Sequence, residues 1–197
     1  MQNMMKNLMN ERFSCRKFTS KKFSDTLISE ILEVARLSPS SLGLEPWKLV
    51  AVKSQNELKK LAQICNAQTH VEACSHAVVV VARTDLTTKD AFMQKNIARK
   101  GEWLKSWCEA KFSKMNTNEL KTYALCQCYM FVANLVNVAK SFGVDSCIIG
   151  GFDEKRLFEW LGASENFVPA LVVALGESEE RGGEKVRFCL NELVEWR

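Results

Sequence analysis

One run constrains this chain more than any other: "HAVVVVAR", residues 76–83, carries six apolar residues in a row, four of them valine. Alternating polarity would mark a strand with one wet face; an unbroken β-branched run marks a strand buried on both faces. Such a strand has to lie inside a sheet with side chains packed above and below it. Elements that can supply that cover surround it. Residues 2–10 read as a first helix. Asp25 caps a second, in which Leu27, Ile28, Ile31, Leu32 and Ala35 form one apolar face. Ser54 and Glu57 make a capping box for a helix through about Cys65. Residues 87–113 read as helical with a charged pattern, and Trp103 and Trp107, four apart, need cover. Asn116 with Glu119 starts a long helix that runs to about Phe142 and stops at Gly143. Asp153 caps a short helix closed by Gly162.

Residues 47–53, 144–149 and 167–176 read as further strands. Residues 177–197 form a polar tail ending in a short apolar stretch. The long central helix interrupts any regular alternation of strand and helix, which favours an α+β fold over a doubly wound parallel sheet. At 197 residues, with no repeat and no Pro/Gly-rich linker, the chain reads as one domain, 1–197.

Composition excludes several functions. The most apolar window, residues 123–139, is shorter than a membrane span and holds Gln127, Asn134 and Asn137, so it reads as a buried helix. Eight cysteines and two histidines are present, but no CxxC pair and no finger-like spacing, which argues against structural zinc. Without an apolar leader at the N-terminus, these cysteines read as reduced thiols of a cytoplasmic protein, most of them small core residues. The net charge of +4 comes without any nucleic-acid-binding motif.

The basic residues instead gather in two places. "RFSCR" sets Arg12, Ser14 and Arg16 at alternate positions, so that in an extended segment all three leave from one face. "KVR" repeats the device with Lys185 and Arg187. Two guanidiniums flanking a hydroxyl suit a phosphate; solvated surface charge is the plainer reading of either cluster alone. "SCIIGGFD" ends a strand in Gly150-Gly151, bare backbone that a flat ligand can approach, or an ordinary turn. Between a helix and a strand, "SPSSLGLEP" packs two prolines and three serines into one stiff polar connection. Neither nucleotide-binding glycine fingerprint is present.

Taken in order, "RFSCRKF", "ARLSPSSLGLEPWKLVAV", "HAVVVVA", "GVDSCIIGGFD" and "KVR" resemble the nitroreductase family of FMN-dependent oxidoreductases, over almost the whole chain. The resemblance implies a central antiparallel or mixed sheet flanked by helices. It also implies an intimate homodimer, with a C-terminal tail reaching the partner and FMN held by both subunits. Arg12, Ser14 and Arg16 would hold the phosphate and ribityl chain, and Lys185 and Arg187 would close on the phosphate. Pro39, Ser40 and Ser41 would approach the flavin from the other subunit. Gly150 and Gly151 would lie over the isoalloxazine, where many family members have Glu-Gly. Gln68, chosen over Asn66, would meet the pyrimidine edge. Gln127 is a further candidate, or a hydrogen-bonded core amide. Cys147 would tune the flavin without being a redox centre. The implied reaction is ping-pong oxidoreduction with NAD(P)H as donor and small nitro compounds or quinones, nitroimidazole prodrugs included, as acceptors. No metal, nucleic acid or membrane is implied. Two other readings stand beside it: a relative with the same fold and another acceptor, such as a flavin reductase or dehalogenase, and a basic binding module without flavin.

Overall fold

A computed structural model of the chain describes residues 2–197. Its elements run α1 (Gln2–Glu11), α2 (Asp25–Ala35), a 3-10 turn (Ser41–Gly43), β1 (Trp47–Val52), α3 (Gln55–Ile64), α4 (Thr69–Ala73), β2 (His76–Arg83), α5 (Ala91–Lys100) and α6 (Glu102–Phe112). They continue through α7 (Thr117–Ser141), β3 (Asp145–Ile149), α8 (Glu154–Leu161), β4 (Phe167–Gly176) and α9 (Leu190–Leu193).

The valine run is an inner strand, as its composition requires. Sheet order is β1-β2-β4-β3, antiparallel throughout, with β2 and β4 inside. Val78, Val80 and Ala82 face one core with Ile28 and Ile31 of α2 and Phe131 and Leu135 of α7. Ala77, Val79 and Val81 face a second core with Leu58 and Leu61 of α3, Val71 of α4 and Leu157 of α8. Alternation sends successive side chains to opposite faces, so one apolar run can feed both cores. The β2–β4 register shifts between Val80 and Val81, where Pro169 enters the ladder without an N–H to donate. The α+β architecture, with helices on both faces of the sheet, is the one expected.

Several local expectations need correction. The second helix is capped by Ser24, whose hydroxyl accepts from the Leu27 N–H; Asp25 is its first residue. Ser54 precedes α3 but makes no side-chain cap, and Glu57, which would return the bond, is engaged elsewhere, by Lys60 at 2.7 Å and Trp160 Nε1 at 2.8 Å. Residues 91–112 form two helices, separated at Gly101, whose φ of 102° no helix accommodates. Trp103 and Trp107 stay exposed, at 56% and 40%. The helix at residues 117–141 is buried along one stripe only, and Tyr129 and Met130 face outward. Its predicted capping box is formed in full by Asn116 and Glu119, Asp153 caps α8, and Gly162 ends it in the left-handed region.

Candidate functional site

Leaving α1, the chain runs extended beside β3. Ser14 bridges Ser146 in parallel, and the Cys15 N–H donates to the Ser146 carbonyl at 3.0 Å. Cys15 is fully buried and Phe13 packs into the second core, while Ser14 and Arg16 are exposed and Arg12 half-exposed. The alternation read from "RFSCR" is therefore real.

The segment after β4 folds back over this strip. The Thr19 N–H donates to the Glu177 carbonyl (2.8 Å) and the Glu179 N–H to the Lys17 carbonyl (2.9 Å). Gly182 then crosses Phe13 so closely that a Cβ would lie 2.9 Å from its ring. This return brings Lys185 to Arg12, whose backbone carbonyl accepts from the lysine Nζ. Partial burial and the adjacent Arg12 and Arg187 guanidiniums all hold the Lys185 pKa below its ordinary value. Among the described residues none of Arg12, Arg16, Lys185 and Arg187 forms a side-chain ion pair. The Glu180 carboxylate instead accepts from the Arg16 backbone N–H at 2.9 Å. Two clusters separated by some 170 residues of chain have become one, and mutually repelling cations without carboxylate partners favour a bound anion.

At the end of β3, neither Gly150 nor Gly151 has a left-handed φ, so conformation does not demand glycine there. A Cβ on Gly150 would meet only Leu171 Cδ2, at 3.7 Å; one on Gly151 would meet Asn66 Nδ2 at 3.4 Å and Gln68 Nε2 at 3.7 Å. Gln68 reaches this point from a tight turn in which Asn66 and Ala67 both have φ of 56°. Its Nε2 donates to the carbonyls of Cys65 (2.9 Å) and Gly151 (3.0 Å).

Cys147 sits beneath, 2% exposed in the second core. Burial pushes its thiol up, Arg16 pulls it down, and Cys15 and Glu180 reinforce the rise, so the thiol stays protonated at neutral pH. Asp145, two positions before Cys147, is the only charged residue of β3. Asp145 is engaged with Lys140 at 2.9 Å and the Ser178 N–H at 3.2 Å.

His70, two residues past Gln68, carries no motif that singles it out in the sequence. It is buried, and among the described residues its Nε2 has no partner. Burial and nearby Arg16 hold its pKa below the ordinary histidine value.

The remaining candidates gather elsewhere. Gln127, 7% exposed on α7, accepts from the Ser41 N–H at 2.8 Å. Asn134 Nδ2 donates to Ser38 Oγ at 3.1 Å, and Ser40 Oγ accepts from the Glu45 N–H at 2.9 Å. Gln127 is thus the core amide that anchors the Pro39–Ser40–Ser41 connection. No hydrogen bond among the described residues joins this group to the cationic one. The structure brings together Arg12, Ser14, Arg16, Lys185 and Arg187 along one strip and Gln68, Gly150 and Gly151 at the end of β3. It leaves Pro39, Ser40, Ser41 and Gln127 as a second group. Among the described residues no group of His, Cys, Asp and Glu could hold a metal ion. Among those residues no helix is long and apolar enough to cross a membrane, and all eight cysteines are free.

The model of the nitroreductase family matches residues 9–177. An oxygen-insensitive NADPH nitroreductase of Helicobacter pylori is 32% identical over 199 residues, covering 96% of this chain and 94% of its own. Among solved structures, a nitroreductase-like protein from Streptococcus mutans superposes with a TM-score of 0.88 at 23% identity, covering 100% of both chains. The NADPH:FMN oxidoreductase of Vibrio harveyi, solved with NAD+, gives 0.77 at 21% identity, covering 98% of this chain and 77% of that one. These two likenesses speak to the fold; the family match and the Helicobacter relative speak to descent. The chain belongs to the nitroreductase family and is an oxidoreductase.

Proposed function

We propose that the chain is an FMN-dependent NAD(P)H oxidoreductase that reduces small nitro compounds or quinones, nitroimidazole prodrugs among them. It would work as a homodimer of single-domain subunits, 1–197, whose two cofactor sites are each built from both chains. The observation that carries this reading is the cationic strip of Arg12, Arg16, Lys185 and Arg187, free of side-chain ion pairs among the described residues, on a segment bridged to β3, the strand that ends in the bare Gly150-Gly151 backbone. The residues present fit FMN. A phosphate satisfies the cations, and the open side of Gly150 leaves room for a planar ring. Gln68, its Nε2 committed to two carbonyls, keeps Oε1 to accept from a pyrimidine N–H. Names of relatives point the same way, NADPH nitroreductase in one and NADPH:FMN oxidoreductase in the other.

When bound, FMN supplies the redox chemistry, taking a hydride from NAD(P)H and passing two electrons to the acceptor. The chain binds and orients. Arg12, Ser14 and Arg16 would hold the phosphate and ribityl chain, and Lys185 and Arg187 would close on the phosphate. Cys147, a buried neutral thiol, tunes the ring's surroundings without exchanging electrons. Eight free cysteines suit a cytoplasmic location. Absorbance spectroscopy of the purified protein tests the reading. A yellow protein with about one FMN per chain, bleached by NAD(P)H and recoloured by a nitro compound or quinone, is expected. A colourless protein that cannot be reconstituted with FMN overturns it.

A further inference from the structure

The connection from Ser40 to Pro46 is held in an uncommon shape. Leu42 (φ 58°), Gly43 (φ 60°) and Glu45 (φ 54°) all occupy the left-handed region, which residues with side chains rarely adopt. Such a turn keeps one conformation only where its surroundings over-determine it. Two anchors were described above, Glu45 N–H on Ser40 Oγ and Ser41 N–H on Gln127 Oε1. A third comes from another part of the fold. Lys100, the last residue of α5, donates from Nζ to the Gly43 carbonyl at 2.6 Å and to the Leu42 carbonyl at 3.3 Å. Its own position is fixed at the α5–α6 joint, where Gly101 breaks the helix and Trp103 Nε1 donates to the Lys100 carbonyl at 2.6 Å. Glycine at position 43 takes the φ of 60° and leaves the ammonium its place, since a Cβ there would stand 2.6 Å from Nζ. Lys100 has no carboxylate partner among the described residues. Its charge is spent on two peptide carbonyls.

The geometry points to Lys100 as a positioning residue for the cofactor site. It latches the α5–α6 joint to the turn that follows Pro39, Ser40 and Ser41, holding those three in the shape the flavin meets. This role rests on the FMN reading given above. A turn ordered before binding loses less conformational freedom when the ligand arrives. Coupling is also reciprocal, so a ligand that steadies the turn steadies the joint.

The test is Lys100→Met, which keeps the stem and removes the ammonium. Gly43→Ala, which crowds the ammonium and strains the turn at φ 60° with Lys100 intact, is the second variant. Lys105→Met on α6, whose ammonium lies 4.0 Å from Glu102, is the control. Apoprotein is titrated with FMN by fluorescence, and amide exchange is followed at residues 41–45 and 101–104 with and without FMN. Lys100→Met and Gly43→Ala should each raise the FMN Kd by about tenfold and speed exchange at 41–45, while Lys105→Met changes neither. FMN should slow exchange at 101–104 in the parent and not in Lys100→Met. Unchanged Kd and exchange in Lys100→Met, with a parent that binds FMN, overturn the latch alone. A parent that binds no FMN overturns the cofactor reading and the latch with it.

Discussion

Arg187 and Arg16 keep different electrostatic company, so removing them has different consequences. Arg187 stands beside Lys185 and helps depress its pKa; Arg187→Ala relieves that repulsion in the apoprotein while taking a phosphate donor from the holoprotein. Its unfolding midpoint without FMN should stay level or rise slightly. Its FMN Kd should rise by about tenfold or more, since a hydrogen bond to a charged group is worth about 1.5–3 kcal/mol. Arg16→Ala should weaken FMN similarly, but it acts on His70 and Cys147 as well, because Arg16 lies close enough to shift both. Fluorescence titration paired with urea melts of the apoproteins separates the two effects, and FMN affinity as tight as the parent's in both variants would end the phosphate assignment. His70 gives a pH prediction whose sign can be worked out. Its folded pKa is held below the ordinary value of 6.5 by burial and by Arg16. As pH falls through that value the unfolded chain takes up the proton first, so stability drops as pH falls and is recovered as pH rises. Urea melts between pH 7.5 and 5.5 should show this slope in the parent and a flatter one in His70→Gln; identical slopes would mean that His70 is protonated equally in both states.

Among the helices, α7 does the most positioning, since it covers one face of the sheet and holds the serine connection through Gln127 and Asn134. Its start depends on Asn116, whose side chain accepts from the N–H groups of Asn118 (3.0 Å) and Glu119 (3.1 Å) while Glu119 returns the bond at 2.7 Å. Asn116→Ala should cost about 1 kcal/mol and lower Tm by roughly 2–4 °C in a domain of this size. Calorimetry checks it, and an unchanged Tm would show that packing alone sets the helix start. That box was legible because all its parts lie within four residues. The box expected at Ser54 and Glu57 has the same spelling and does not form: Ser54 makes no cap, and Trp160, more than 100 positions away, shares the Glu57 carboxylate with Lys60. The break at Gly101 was missed for the related reason that one glycine inside a helical pattern is often tolerated. Strand β2 could be read outright, as six apolar residues leave no polar face to misassign. The site divides along the same line. Outward Arg12, Ser14 and Arg16 follow from a period of two, whereas the Lys185–Arg12 contact and the role of Gln127 exist only once distant segments meet.

At the scale of the whole molecule, the candidate residues fall into two groups. Arg12, Ser14, Arg16, Lys185 and Arg187 lie beside β3, while Pro39, Ser40 and Ser41 hang from α7 with no hydrogen bond among the described residues to link them. The tail adds a second imbalance, for Val186, Phe188, Leu190, Leu193 and Trp196 are 65–87% exposed. Burying five such side chains is worth on the order of 10 kcal/mol, and a two-fold dimer would bury two tails. That exceeds or matches an association cost of about 4–15 kcal/mol. The expectation is a homodimer in which each tail covers its partner and each FMN touches both chains. Size-exclusion with light scattering and absorbance at flavin wavelengths should show a dimer carrying about two FMN. Deleting residues 189–197 leaves Lys185 and Arg187 in place and removes Leu190, Leu193 and Trp196. That variant should shift toward monomer at micromolar concentration, and should lose FMN as it does so, because a monomer keeps its phosphate strip but has no partner serines facing it. A truncated chain that stays dimeric with full FMN would remove the tail from the interface, and a full-length monomer that retains FMN would sink the shared site itself.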